Sequence, residues 1–152
     1  MTLCVQDVMV RDVVTLDAKQ NAKNAARIMT KFGISGVIVQ NKKDIVGILT
    51  ERDILTRVVA SGQNPEYIVV KDIMTEPVIV VSPLMPLDKA VSIMFQEKIK
   101  KLPVVAKDED RVQLVGILSL TDIARLHPQL LEGIRALSQM NELEAQTDFY
   151  VR

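Results

Sequence analysis

The amino-acid sequence writes one pattern twice. Val5-Gln6-Asp7-Val8-Met9 returns as Val70-Lys71-Asp72-Ile73-Met74, and Val13-Val14 as Val78-Ile79. Ala25, Ile28 and Met29 return as Ala90, Ile93 and Met94; Ile34 returns as Ile99, and Val37-Ile38-Val39 as Leu102-Pro103-Val104. Gly47-Ile48-Leu49-Thr50-Glu51-Arg52-Asp53-Ile54 then returns as Gly116-Ile117-Leu118-Ser119-Leu120-Thr121-Asp122-Ile123. Repetition at a fixed spacing marks a duplicated unit whose copies bury apolar surface against one another. The register breaks only near Lys107 to Gln113, a charged stretch without apolar periodicity that reads as a lengthened turn between strands.

Each copy predicts the same elements. A short β-branched strand comes first, Val13 to Leu16 or Val78 to Val81. A helix follows, with Ala22, Ala25, Ala26 and Met29 on one face, or Leu87, Ala90, Val91 and Met94. Asp88 lies in the first turn of the second of these helices, where its charge suits the dipole. A buried strand, Val37 to Val39 or Val104 to Val105, precedes a strand ending in Gly-Ile-Leu and a last helix. The order is β-α-β-β-α, twice, an α+β (α/β) fold packed about a pseudo-twofold axis, with a C-terminal helix added. The division expected is 1–64, 65–128 and a helical tail 129–152, with Gly62-Gln63-Asn64-Pro65 as the linker turn. A cleft at the axis is where a small molecule would bind.

Composition excludes several functions. The 19 basic and 19 acidic residues cancel, so no net field draws nucleic acid or an anionic membrane. Aromatics are 3% with no Trp, which weakens any reading that needs bases stacked on rings. Cys4 is the one cysteine, so an intrachain disulfide and a Cys-based zinc site are both out, and a reducing cytosol is the expected compartment. No leader pattern and no membrane-length apolar run is visible. No nucleophile–base pairing, Gly-rich phosphate loop or metal cluster is visible either, so no enzyme and no cofactor is expected.

The paired Asp-Val-Met and Asp-Ile-Met openings, the Ile-Ser-Gly-Val-Ile-Val and Ile-Lys-Lys-Leu-Pro-Val segments, and the two Gly-Ile-Leu-[Thr/Ser]-x-x-Asp motifs together resemble tandem CBS (cystathionine-β-synthase) domains from about Val5 to Leu126. The resemblance implies a disc-like module with two clefts that bind AMP, ADP or ATP, sometimes S-adenosylmethionine or dinucleotides. It further implies a homodimer and a partner protein that reads the ligand. Carried over by position, it makes Asp53 and Asp122 the ribose residues and Thr50, Ser119 and Thr121 the phosphate-side residues, with Arg52 adding charge. Thr15 would sit by the base in the first copy; its counterpart Val80 lacks the hydroxyl. Ile34, Ser35, Gly36 and Val37 would line one base pocket, and Ile99, Lys100, Lys101, Leu102 and Pro103 the other, where the lysines favour a more highly charged ligand.

The chemistry also stands without the family. An Asp carboxylate accepts both hydrogens of a cis-diol, and a helix N-terminus offers N–H groups to phosphate. The competing reading is purely local: Thr50-x-x-Asp53 and Ser119-x-x-Asp122 each fit a helix capping box, and caps and binding can coexist. His127, before Pro128, reads as a helix-end residue, Met9, Met29, Met74 and Met94 as core, and Gly47 and Gly116 as sites of close backbone approach or a bulge. In the tail, Leu130, Ile134 and Leu137 form a stripe with Leu131 beside it, extended by Met140 and Leu143; it suits self-packing or a partner equally. Three functions remain in view: a nucleotide sensor, a structural interaction module with empty clefts, and a nucleic-acid binder acting through basic edges.

Overall fold

A computed structural model describes residues 3–130 and Glu132. The tail stripe beyond Leu130 lies outside the described residues. In the first copy, β1 (Thr15–Asp17), α1 (Ala22–Phe32), β2 (Gly36–Asn41), β3 (Asp44–Thr50) and α2 (Glu51–Ile54) follow one another, and α2 runs on as a π turn over Leu55–Val59. A short helix α3 (Val70–Ile73) opens the second copy, followed by α4 (Leu87–Gln96), β4 (Lys101–Asp108), β5 (Arg111–Ser119) and α5 (Leu120–Leu126). A 3₁₀ turn over Val5–Asp7 opens the first copy in the place α3 holds in the second.

Local chemistry explains the boundaries. Asn21 caps α1 by accepting the Asn24 N–H at 2.8 Å. Gly33 ends that helix in the left-handed conformation, φ 61°. The equivalent position after α4 is Lys98, which takes φ 56° without glycine's freedom. Ala22, Ala25 and Met29 form the buried face of α1, and Leu87, Ala90, Val91 and Met94 that of α4.

β1 pairs parallel with β2, which pairs antiparallel with β3; β4 pairs antiparallel with β5. The expected strand Val78 to Val81 shrinks to one bridge, Val81 to Val104. Two prolines account for this. In the first copy the Ala18 N–H donates to the Gln40 carbonyl at 2.8 Å, and its equivalent in the second copy is Pro83, which has no N–H. At the other end Pro103 replaces Ile38 and lacks the N–H that would extend the ladder back towards Ile79. A further correction concerns Lys107 to Gln113. It is not a longer turn but longer strands, paired Lys107 with Val112 and Asp108 with Arg111 around Glu109 at φ 51°.

The two cores exchange their opening segments. Leu16, Met29, Val37 and Leu49 of the first copy pack with Val70, Ile73 and Met74 of the second. Leu87, Met94, Leu102, Leu118 and Ile123 of the second pack with Val5 and Val8 of the first. Bridges from Val10 to Ile117 and from Ile48 to Thr75 tie each opening to the other copy. Gly47 and Gly116 make room for this. Each stands beside a strand bulge, and a methyl group on either would overlap Met74 or Met9 respectively.

Candidate functional site

Where the copies meet, the strand pleat decides which side chains face the junction. Val37 and Val39 point to their own helices, and so do Leu102 and Val104. The alternate residues Gly36 and Lys101 turn to the other side, where the Lys101 stem lies beside the Gly36 backbone. A cleft of about 330 Å³ opens there. Its walls are Asp12, Val13, Val14, Ile34, Ser35 and Gly36 from the first copy, and Lys101, Ile117, Ser119, Thr121, Asp122 and Arg125 from the second. Val10 and Gly33 complete it.

The cleft therefore joins the Ile34, Ser35 and Gly36 segment of one copy to Asp122 of the other. Of the residues expected at a site, Ile34, Ser35, Gly36, Lys101, Ser119, Thr121 and Asp122 line it. Lys101 was expected in the opposite pocket; its stem crosses to this one because its strand face looks at Gly36. Val37, Leu102 and Pro103 are buried, the first two in the cores, so they do not line this cleft. Thr15 is an exposed residue of β1 paired with Ile38, away from the cleft walls. Val80 lines a different hollow with Val78, Val105 and Val112. Ile99 packs against the second core, Lys100 is exposed with its carbonyl accepting the Leu120 N–H at 2.8 Å, and Arg52 is exposed on α2.

Sequence reasoning missed Asp12, Val13 and Val14 as wall residues, having placed the two valines in a strand that begins only at Thr15. It also missed Arg125. The readable signal was its spacing of four from Thr121 on one helix face.

The two aspartates occupy equivalent positions but different surroundings. Asp53 is buried, 7% exposed. Its Oδ2 accepts the Thr50 N–H at 2.9 Å and the Thr50 hydroxyl at 3.1 Å, and the Asp53 N–H donates to Thr50 Oγ1 at 3.3 Å. This is the capping box, closed in both directions. Its Oδ1 accepts the Thr75 hydroxyl at 3.0 Å and faces Arg57 Nη1 at 3.9 Å. Asp122 is half-buried. Its N–H donates to Ser119 Oγ at 3.0 Å, so Ser119 caps α5. Its carboxylate accepts no hydrogen bond from the described residues and borders the cleft. Lys101 is pushed below the usual lysine range by burial, an effect that the nearby Asp122 and Glu51 carboxylates oppose.

Among the described residues, no group of three or more His, Cys, Asp or Glu side chains could hold a metal. No helix there is long and apolar enough to cross a membrane. His127 forms the C-cap of α5, its N–H donating to the Ile123 carbonyl at 2.8 Å.

A family model, that of the CBS domain, matches residues 5–60 and again 70–128. The chain belongs to the CBS domain family. It is 37% identical over 134 residues to an uncharacterised protein of Methanopyrus kandleri, covering 88% of this chain and 67% of that one. Among solved structures it is similar to the hexameric CBS-CP12 protein from bloom-forming cyanobacteria, with TM-score 0.75 and 30% identity over 84% of this chain and 73% of that chain. It is also similar to the CBS domain pair of protein MJ0100 in complex with 5′-methylthioadenosine and S-adenosylmethionine. There the TM-score is 0.73 at 28% identity, covering 85% of this chain and 98% of that chain. The duplicated elements of this CBS pair thus have their counterparts in known CBS-pair structures.

Proposed function

We propose that this CBS pair is a regulatory module that binds an adenosyl ligand, AMP, ADP or ATP, in the cleft bordered by Asp122, and signals to a partner protein. The observation that carries the reading is a carboxylate standing in a wall of mixed chemistry, with its oxygens unclaimed by the described residues. A cis-diol supplies two hydrogens to such a carboxylate. The apolar Val13, Val14, Ile34 and Ile117 suit the faces of a purine, and the Lys101 and Arg125 cations suit phosphate. That the MJ0100 pair is complexed with two adenosyl compounds supports this ligand class. Ligand moves the equilibrium between two settings of the copies only through unequal affinity for them.

Calorimetry with AMP, ADP, ATP, S-adenosylmethionine and NAD is the test. At least one should bind, and Asp122→Ala should weaken it by 10-fold or more, as should removal of the ribose 2′-hydroxyl. No heat and no thermal shift with any of the five would leave an interaction module with empty clefts. Self-association belongs to the same reading: Phe32, Leu55 and Val59 leave more than half of their surface exposed, and the similar CBS-CP12 protein is hexameric. A single-chain mass by light scattering would remove it.

A further inference from the structure

The two halves of this CBS pair differ at the positions that surround their aspartates. Thr75, whose hydroxyl donates to Asp53 Oδ1 at 3.0 Å, has Val10 as its equivalent; each forms the bridge from its opening segment to the other copy's last strand. Arg57 lies four residues after Asp53 and faces the same oxygen at 3.9 Å; four residues after Asp122 stands Leu126. Arg57 is held in place, since its Nη1 donates to the Ile73 and Met74 carbonyls at 2.8 and 2.9 Å, and it faces Asp53 as a charge rather than as a hydrogen-bond donor. The second copy does carry an arginine on α5, but one residue earlier, at Arg125, where it lines the cleft.

From this we infer that Thr75 and Arg57 lock the Asp53 half-site against ligand, so that each chain takes one ligand, at Asp122. The inference rests on the ligand reading above and adds to it the stoichiometry and the residues that set it. With Oδ2 held by Thr50, and Oδ1 by Thr75 with the Arg57 charge facing it, a diol at Asp53 would have to displace an existing internal set. Displacement breaks the Thr75 hydrogen bond and the Arg57 contact at a carboxylate that is itself buried, and so has little water to turn to. At Asp122 neither obstacle exists, because a valine and a leucine cannot donate.

The test exchanges the two sets of neighbours in the full-length chain and uses ATP and AMP as probes. Wild type should bind one equivalent per chain. Thr75→Val with Arg57→Leu, which gives Asp53 the neighbours that Asp122 has, should bind two. Val10→Thr with Leu126→Arg should lower affinity at the Asp122 site by 10-fold or more. Both of those positions are exposed, so folding tolerates the change and the inference stays testable even where the Arg57 variant is unstable. Two equivalents in wild type, or one equivalent that survives Asp122→Ala and is lost in Asp53→Ala, would overturn the lock while leaving the ligand reading standing. No binding in any variant would overturn both.

Discussion

At the scale of single residues, one kind of position is decided by what the other copy brings to it. Gly47 and Gly116 sit beside bulges in β3 and β5, and neither has a left-handed backbone; their need is for space. A side chain at Gly47 meets Met74, the last residue of the Asp-Ile-Met opening, and one at Gly116 meets Met9 and the Val10 carbonyl. Methionine is flexible, so part of the overlap is relieved by rotation. Gly47→Ala should therefore destabilise by about 1–3 kcal/mol, the range for overpacking in a well-filled core. Urea unfolding reads the loss, and shortening the neighbour with Met74→Ala in the same chain should make the two changes less than additive. Fully additive losses would mean the glycine is needed for a reason other than room for Met74. The repeat made both glycines visible in the sequence. What it could not reveal was their partner, because the methionine that fills the space lies in the other copy's opening.

Elements show where a duplicated sequence stops giving duplicated structure. Helices α1 and α4 and the paired strands β2–β3 and β4–β5 follow the apolar pattern closely, since burial on one face fixes both period and register. The first strand does not, because its existence depends on backbone donors rather than on side chains. Val78 to Val81 has the apolar, β-branched content of a strand but meets Pro103 across the ladder and is followed by Pro83. Pro83→Ala gives the position the residue its equivalent Ala18 has, and restores an N–H opposite the Val105 carbonyl. That amide should become strongly protected in hydrogen exchange, as the Ala18 amide is expected to be. The net stability should move by less than about 1 kcal/mol, since one hydrogen bond gained offsets the lost rigidity of proline. An unprotected amide at that position would show that some other feature keeps the strand short. The candidate site was legible in the same uneven way. Ser119, Thr121 and Asp122 stood out as a motif, whereas Lys101 fell on the wrong side because strand facing, one residue in two, was not assigned.

At the scale of the whole molecule, the exchange of opening segments changes what a domain is in this chain. Counted along the sequence the first copy ends near the Gly62-Gln63-Asn64-Pro65 turn, yet its core holds Val70, Ile73 and Met74 from beyond that point. The second core in turn holds Val5 and Val8 from near the start of the sequence. Neither copy buries its apolar set without the other, so the pair should unfold in one cooperative step. A fragment of residues 1–64 keeps its own opening, which has nothing to pack on, and lacks the three side chains that close its core. Removing side chains of that size from a core costs about 2–5 kcal/mol each, as much as a small domain's entire stability. The fragment should show little native helix signal by circular dichroism, and mixing it with residues 65–152 should restore that signal at one-to-one ratio. A stable 1–64 fragment with a sharp melting transition would refute the exchange. The same coupling would give the proposed ligand its leverage. The cleft by Asp122 is walled by both copies, and the segment 10–14 that borders it continues directly from the opening that enters the second core. Under the proposed function, a ligand that draws the walls together would act on one of the two segments through which the copies exchange their openings, and a surface that spans both copies would register it.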